Sequence, residues 1–188
     1  MKKIVILGAG ESGAGSAELA RKNSYEVFVS DYGLIDEQIK EKFKKLNIEF
    51  EENSHDLAKS IDADIVIKSP GISDQSEVVS FFNDKKINVI SEIEFAYNFS
   101  KSNIIGITGS NGKTTTSTLI HKLITDAEIS CSISGNIGFS FSNVCNDNVQ
   151  YSVVELSSFQ LDGVEKFKPH IAVLTAVSYT HLTLPTKA

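Results

Sequence analysis

The sequence predicts an α/β fold with parallel sheets, and three observations support this prediction. Short apolar runs rich in Val and Ile alternate with longer amphipathic stretches along most of the 188 residues. The apolar runs are continuous, which is typical of strands that are covered on both faces. Two of these runs end in glycine-containing turns that lead into a predicted helix. Strands that alternate with helices in this way form βαβ units, and therefore parallel sheets.

Length and composition restrict the classes of protein to which the chain can belong. With 188 residues, of which 41% are hydrophobic, it can form one large domain or two small ones. The net charge of −6 argues against a nucleic-acid-binding protein, and no apolar run is long enough to cross a membrane. Two cysteines, Cys131 and Cys145, are too few for a disulfide scaffold, so we expect buried thiols in a reducing cytoplasm.

The predicted elements follow one another in a regular order. Strands are predicted at Ile4–Leu7, Glu26–Val29, Ile65–Ile67, Val89–Ile90, Ile104–Ile107, Val153–Leu156 and Ile171–Leu174. Amphipathic helices are predicted at Ser12–Lys22, Ile35–Leu46 and Thr114–Ala127. A further helix begins at Glu92 and is followed by a polar joint that ends at Asn103. We therefore place a domain boundary between residues 91 and 92, with a first domain over 1–91 and a second that begins at 92.

The first predicted strand runs into a glycine-rich turn. Gly8, Gly10 and Gly13 form a Gly-x-Gly-x-x-Gly pattern at the start of a predicted helix. The first glycine allows a tight turn, the second lets a diphosphate approach the backbone, and the third lets the helix pack closely on the strand. Asp31 ends the second strand, where its carboxylate could accept hydrogen bonds from a nucleoside. The turn predicts phosphate or nucleotide binding, although a tight strand–helix turn can use glycines without any ligand.

A second turn, Ser69-Pro70-Gly71, follows the strand at Ile65–Ile67. The carboxyl ends of strands are where open α/β sheets bind ligands. Turn chemistry alone leaves an ordinary surface turn as an equal alternative.

The strand at Ile104–Ile107 leads into a phosphate loop with the sequence Thr108-Gly109-Ser110-Asn111-Gly112-Lys113-Thr114-Thr115. The backbone N–H groups of such a loop surround phosphates, the lysine neutralises the β and γ oxygens, and the following threonine hydroxyl binds Mg²⁺. Ile107 stands where the usual spacing requires a glycine, so this is a shortened variant and an ordinary GTPase is disfavoured. The loop predicts ATP binding.

An acidic residue, Glu155, comes near the end of the next apolar strand. A carboxylate in this position can hold the Mg²⁺ of a bound nucleotide, and it is costly within a strand unless a cation or a donor meets it. The alternative is a strand end at the surface. The polar turn at Gly135–Gly138 has no role that its chemistry alone predicts.

Five motifs, taken together and in this order, resemble those of the Mur ligases. They are Gly8–Gly13, Ser69–Ile72, Thr108–Thr115, Gly135–Gly138 and Glu155–Gln160. Within that family the chain is similar to the branch that adds D-glutamate to UDP-N-acetylmuramoyl-L-alanine, and the similarity runs from about Lys3 to Thr175. The resemblance implies a Rossmann-like first domain followed by the first part of a P-loop ATPase domain.

The resemblance also implies roles for individual residues. The UDP part of the substrate would contact Gly10, Ser12, Gly13, Asp31, Ser69, Pro70 and Gly71, and the muramoyl part would contact Asn136, Ser157 and Gln160. ATP would contact Gly109, Ser110, Asn111, Gly112, Lys113, Thr114 and Thr115. Thr114 and Glu155 would bind Mg²⁺, and Lys113 and Glu155 would be the catalytic residues. The family usually has a small polar residue after the aspartate at position 31, where this chain has Tyr32.

The implied activity is ATP-dependent amide formation by a cytoplasmic monomer. The alanyl carboxylate attacks the γ-phosphoryl group, and the amine of D-glutamate then displaces phosphate from the acyl phosphate. No nucleic-acid partner and no membrane insertion are implied. The family pattern stops at about residue 175, so we expect a second domain truncated to 92–175 and a non-family tail over 176–188. His181 is in register with a metal-binding histidine of the family, but threonines flank it where the family has acids.

Three functional hypotheses therefore stand beside one another. The first is a truncated ligase that cannot complete the reaction alone and that exposes apolar strand edges, which favours aggregation. The second is a non-catalytic module that binds a UDP-sugar. The third is a nicotinamide-dependent oxidoreductase that uses the turn at Gly8–Gly13, although this hypothesis leaves the loop around Lys113 unexplained.

Overall fold

A computed structural model of the protein describes residues 1–176 and contains two parallel sheets. The first sheet has the order β3-β2-β1-β4-β5 and the second the order β7-β8-β6-β9, and all pairings are parallel. The strands are β1 (Lys3–Leu7), β2 (Glu26–Ser30), β3 (Glu49–Glu51), β4 (Ile65–Lys68), β5 (Asn88–Ser91), β6 (Asn103–Thr108), β7 (Cys131–Gly135), β8 (Tyr151–Glu155) and β9 (Ile171–Leu174). The predicted fold class, α/β with parallel sheets, is confirmed.

Helices connect most of these strands, as βαβ units require. They are α1 (Glu11–Lys22), α2 (Glu37–Lys45), α3 (Asp56–Ser60), α4 (Glu77–Asp84), α5 (Glu92–Tyr97), α6 (Lys113–Asp126), α7 (Phe141–Val144) and α8 (Ser158–Asp162). The four helices that the sequence predicts correspond to α1, α2, α5 and α6. The other four were not predicted.

The sequence analysis also did not predict two of the strands, β3 and β7. Each lies at an edge of its sheet, and neither contains a run of apolar residues. An edge strand needs one neighbour and little burial, so its sequence carries a weaker apolar signal. The predicted end of the strand at Val153–Leu156 is also wrong by one residue, because β8 ends at Glu155.

The strand order reverses once in each sheet. In the first sheet the chain builds β2 and β3 on one side of β1 and then places β4 and β5 on the other side. In the second sheet β7 and β8 lie on one side of β6, and β9 lies on the other. Such a reversal opens a crevice at the carboxyl ends of the strands that flank it. Both predicted phosphate turns follow the strand at which the order reverses.

The helix α5 connects the two sheets and packs against elements of both. Its Ile93 and Phe95 belong to the same buried cluster as Ile104, Phe141 and Phe167 of the second half. Because the core is continuous across α5, the boundary placed between residues 91 and 92 stays a prediction.

Cys145 is buried as predicted, whereas Cys131 is only half-buried, so the expectation for it was wrong. The reason is that Cys131 begins the edge strand β7.

The second sheet leaves apolar side chains exposed. Ile171 and Leu174 of the edge strand β9 are 51% and 64% exposed, and Leu119 and Leu123 of α6 are also exposed. This exposure agrees with the expectation of uncovered apolar edges, while aggregation stays a prediction. Within residues 1–176, no helix is long and apolar enough to cross a membrane.

Candidate nucleotide sites

The glycine-rich turn lies between β1 and α1 and is tightly packed at its far end. A Cβ atom on Gly13 would lie 1.8 Å from the carbonyl oxygen of Gly8, so only glycine fits there. Gly10 is the N-cap of α1, and a Cβ on it would meet no heavy atom within 4 Å. Ser12 is half-buried in the first turn of the helix. The turn therefore packs closely at Gly13 and leaves open space above Gly10, where an anion could approach the helix N-terminus.

Asp31 holds the turn in place through its carboxylate. One carboxylate oxygen accepts a hydrogen bond of 2.6 Å from the N–H of Ala9, and the other accepts one of 2.7 Å from the N–H of Gly33. The sequence predicted this carboxylate as an acceptor for a nucleoside. In the structure, both oxygens are already engaged by backbone donors.

The Ser69-Pro70-Gly71 turn lies directly against the glycine turn. The hydroxyl of Ser69 donates a hydrogen bond of 3.3 Å to the carbonyl oxygen of Gly8. Lys68, which ends β4, is largely buried, and its ammonium group donates to the carbonyl oxygen of Ile72 and forms an ion pair with Asp74. The first set of predicted residues therefore converges at the carboxyl ends of β1, β2 and β4.

Lys68 directly precedes the predicted turn, but the sequence analysis assigned it no role. The signal was present, because a lysine that directly follows the apolar residues of a strand is as unusual as the glutamate at position 155.

The phosphate loop follows β6 and ends at Gly112, the N-cap of α6. Gly109 has φ of 142°, and a Cβ on it would lie 2.3 Å from the hydroxyl oxygen of Thr175. The ammonium group of Lys113 donates a hydrogen bond of 2.8 Å to the carbonyl oxygen of Gly109. The hydroxyl of Thr175 contacts the carbonyl oxygen of Asn111 at 2.6 Å and so ties the loop to the end of β9.

The remaining loop residues lie at or near the surface. Ser110 donates its N–H to the carbonyl oxygen of Ala176 over 2.7 Å. Thr114 and Thr115 are exposed in the first turn of α6. Their hydroxyls are therefore at the helix N-terminus, where backbone N–H groups without helical acceptors favour anions.

Glu155 ends β8 beside the phosphate-loop strand, and it is 1% exposed. One carboxylate oxygen accepts a hydrogen bond of 3.0 Å from the side-chain amide of Asn136. The other is buried and has no hydrogen-bond partner among the described residues. A buried carboxylate oxygen without a donor is costly, and a bound cation would remove that cost. The alternative of a surface strand end is therefore wrong, because the carboxylate is buried at the carboxyl end of an inner strand.

The turn at Gly135–Gly138, whose role was open, packs against this glutamate. The backbone N–H of Asn136 donates to the carbonyl oxygen of Glu155 over 2.9 Å, in addition to the side-chain bond. Asn136 thereby fixes both the strand end and the carboxylate.

Ser157 and Gln160 form a capping box at the start of α8. The hydroxyl of Ser157 accepts from the N–H of Gln160 over 3.3 Å, and the side-chain oxygen of Gln160 accepts from the N–H of Ser157 over 2.9 Å. These contacts stabilise the helix N-terminus locally. Their predicted role toward the muramoyl group stays a prediction.

A cleft of about 390 Å³ brings segments of both halves together. It is lined by Pro70 and Gly71 from the turn after β4 and by Phe159 and Asp162 from α8. Among residues 1–176, no group of three or more His, Cys, Asp and Glu side chains is arranged to hold a metal ion. His181 lies outside the described residues. A cation at Glu155 would therefore depend on hydroxyl groups and on oxygens of its ligand as well as on this carboxylate.

Comparison with known proteins decides the family. The protein-family model of the MurD N-terminal domain matches residues 3–78 of the sequence, and that of the Mur ligase middle domain matches residues 107–184. The chain belongs to the Mur ligase family. The second match continues beyond residue 176, and the tail expected over 176–188 stays a prediction.

Two relatives of this Mur ligase chain have the same description. The chain is 52% identical over 182 residues to the UDP-N-acetylmuramoylalanine–D-glutamate ligase of Christiangramia forsetii, and the match covers 96% of this chain and 41% of that protein. The chain is 44% identical over 183 residues to the ligase of the same name from Bacteroides thetaiotaomicron. That match covers 97% of this chain and 41% of that protein. The chain thus spans about two fifths of the length of these curated relatives.

A solved structure agrees on the fold. The UDP-N-acetylmuramate:L-alanyl-γ-D-glutamyl-meso-diaminopimelate ligase of Neisseria meningitides superposes with a TM-score of 0.63 at 19% identity. The match covers 96% of this chain and 62% of that one. The two sheets of the Mur ligase chain therefore have the Mur ligase N-terminal and middle-domain folds.

Proposed function

We propose that this chain supplies the nucleotide-handling part of a ligase that joins D-glutamate to UDP-N-acetylmuramoyl-L-alanine at the expense of ATP. The observation that carries the proposal is the buried oxygen of Glu155, which has no partner among the described residues and lies on the strand next to the phosphate loop. The names of the relatives supply the substrate pair. The division into a substrate domain over 1–91 and an ATPase domain over 92–175 is part of the same proposal.

The first site would bind the UDP group. The N–H groups at the start of α1 and the open space above Gly10 suit a diphosphate, and the hydroxyl of Ser69 lies beside the same turn. Ser12, Gly13, Pro70 and Gly71 would complete this site. Asp31 would hold the turn by accepting the N–H of Ala9, and the lone pairs left on its carboxylate would accept hydrogen bonds from the nucleoside.

The second site would bind ATP. The backbone N–H groups from Gly109 to Thr115 would surround the phosphates, and Lys113 would leave the carbonyl oxygen of Gly109 to neutralise the β and γ oxygens. The hydroxyl of Thr114 and the free oxygen of Glu155 fit a Mg²⁺ ion, because both are oxygen ligands of the kind that hard cations prefer. When bound, Mg²⁺ would reduce the repulsion between the triphosphate and an attacking carboxylate.

The chemistry would begin with attack of the alanyl carboxylate on the γ-phosphoryl group, which releases ADP and leaves an acyl phosphate. The amine of D-glutamate would then attack the acyl carbon and release phosphate. Lys113 would stabilise the negative charge that develops on the transferred group. Asn136 would keep the carboxylate of Glu155 oriented through its two bonds to that residue.

We propose that the chain binds both nucleotides and does not complete amide formation by itself, because it spans about two fifths of its relatives. Calorimetric titration with ATP and MgCl₂ tests the second site. Lys113→Ala should abolish ATP binding, whereas Lys122→Ala on the exposed surface of the same helix should leave it unchanged. Equal ATP binding by the two variants would refute the assignment of the loop.

A coupled assay tests the catalytic part of the proposal. It measures ADP release that depends on both UDP-N-acetylmuramoyl-L-alanine and D-glutamate. Clear turnover by the 188-residue chain would contradict the proposal that it is incomplete for catalysis.

A further inference from the structure

A cavity of about 680 Å³ lies between the segments that follow β2 and β4. Tyr32, His55, Lys59 and Ile72 are among the residues that line it. Tyr32 directly follows Asp31, and Ile72 directly follows the Ser69-Pro70-Gly71 turn, so the cavity adjoins the proposed UDP site in the chain on both sides. Its volume is within the range of sites that bind small molecules.

The protonation of the His55 ring follows from its hydrogen bonds. The hydroxyl of Ser30 donates a bond of 2.8 Å to Glu51, and the same hydroxyl oxygen lies 2.6 Å from Nδ1 of His55. The hydroxyl also lies 3.2 Å from the carbonyl oxygen of Ser54, and both that oxygen and the carboxylate can only accept, so the hydroxyl proton points to one of these two acceptors. The proton between Ser30 and His55 must then belong to Nδ1.

Glu51, the carboxylate that accepts from Ser30, is itself held by backbone donors. Its two carboxylate oxygens accept the backbone N–H groups of Leu57 and Ala58 over 3.0 and 2.8 Å. Burial lowers the pKa of His55, although the nearby charges of Glu51 and Asp31 oppose this effect, and the neutral ring is favoured. A neutral ring with its proton on Nδ1 has a lone pair on Nε2.

That lone pair is the part of the ring available to a ligand. Among the contacts within residues 1–176, none is a hydrogen bond to Nε2 of His55, and the ring lines the cavity. The ring of Tyr32 lies 6.0 Å from that of His55 at a tilt of 40°, and the tyrosine is 75% exposed. An acceptor beside an exposed aromatic face suits a planar heterocycle that carries an N–H group.

We propose that His55 determines the base specificity of the UDP site, an inference that rests on the proposed function. Nε2 of His55 accepts a hydrogen bond from the imide N–H of a uracil-type base, and the ring of Tyr32 packs against the face of that base. A cytosine-type base has an unprotonated nitrogen in place of the imide N–H. Two lone pairs would then face each other, and the site would disfavour that base.

The test compares the binding of UDP and CDP to the 188-residue chain by calorimetry, since the two ligands share the ribose and the diphosphate. We expect UDP to bind at least about tenfold more tightly than CDP. His55→Phe keeps a ring and removes the acceptor, so it should weaken UDP binding, relieve the repulsion that disfavours CDP, and bring the ratio of the two affinities close to one. Lys59→Met, a change in the same cavity, should preserve the ratio of the two affinities.

A second measurement needs no substitution. The ¹⁵N spectrum of the histidine rings should show His55 protonated on Nδ1, and the Nε2 resonance should shift with UDP but not with CDP. Equal affinities for the two ligands, a preference retained in His55→Phe, or a proton on Nε2 in the free chain would each overturn the inference alone. Failure of UDP to bind at all would overturn the proposed UDP site together with it.

Discussion

The carboxylate of Glu92 accepts a hydrogen bond of 2.6 Å from the backbone N–H of Ser142 and so joins α5 to α7. Its second oxygen is buried and has no partner among the described residues. Burial raises the pKa of Glu92 to about 7, an effect that the bond from Ser142 opposes and the charge of Glu11 reinforces. The joint between the two halves therefore contains a carboxyl group that is protonated over much of the acidic range.

This carboxyl group makes stability depend on pH. The folded protein binds the proton more tightly than the unfolded chain, so the contribution of Glu92 is complete below pH 4.5 and is lost as the pH rises through about 7. The full shift corresponds to roughly 3 kcal/mol. We expect Glu92→Gln to abolish this loss, so that the variant gains free energy of unfolding relative to the parent between pH 5 and 8.

Urea denaturation at several pH values measures the effect. Glu165→Gln, at an exposed position, serves as the control and should follow the parent. A constant difference between Glu92→Gln and the parent across this range would show that the carboxyl group does not titrate there.

The two glycines of the first turn should respond differently to alanine. At Gly13 the new methyl group would lie 1.8 Å from a backbone oxygen, and we expect a loss of at least about 2 kcal/mol in the free energy of unfolding. At Gly10 the space is open, and we expect a loss below about 1 kcal/mol but weaker UDP binding, because the methyl group occupies the path of the diphosphate. Denaturation and calorimetry measure the two effects. Undiminished UDP binding by Gly10→Ala would mean that the diphosphate does not approach there.

The fold was largely predictable because its inner strands are short apolar runs with helices between them. The elements and hydrogen bonds that could not be predicted depend on contacts between residues that are distant in sequence. The edge strand β3 contains only Glu49, Phe50 and Glu51, and its place depends on pairing with β2. The sequence indicated the phosphate loop and Glu155 from spacing alone. It could not indicate that Asn136 holds Glu155, or that the hydroxyl of Ser30 joins His55 and Glu51, because these bonds form only when separate segments are brought together.

Glu155 should determine the Mg²⁺ requirement of ATP binding. Glu155→Gln keeps an acceptor for Asn136 and removes the buried charge, so the variant should fold at least as stably as the parent. Loss of a ligand oxygen with its charge should raise the Mg²⁺ concentration needed for ATP binding by at least roughly tenfold. Titrations of ATP at increasing MgCl₂ measure this requirement, and Glu128→Gln, outside the site, provides the control. An unchanged Mg²⁺ requirement would exclude Glu155 as a ligand.

Glu94, the second buried carboxylate of α5, should stabilise the contact between the two halves. It accepts backbone N–H groups from Glu165, Lys166 and Phe167 at 3.1, 3.0 and 2.9 Å. Glu94→Ala would leave these donors unsatisfied, and we expect a loss of about 3 kcal/mol or more. Glu94→Gln keeps one acceptor oxygen and should lose less.

Hydrogen exchange distinguishes this local effect from general destabilisation. In Glu94→Ala, the amides of residues 165–167 should lose protection more than those of the inner strands β1 and β4, because only the former lose their acceptor. Glu165→Ala removes an exposed side chain from the same segment and should change neither stability nor exchange. Uniform loss of protection across both sheets would indicate that Glu94 stabilises the core as a whole rather than this one contact.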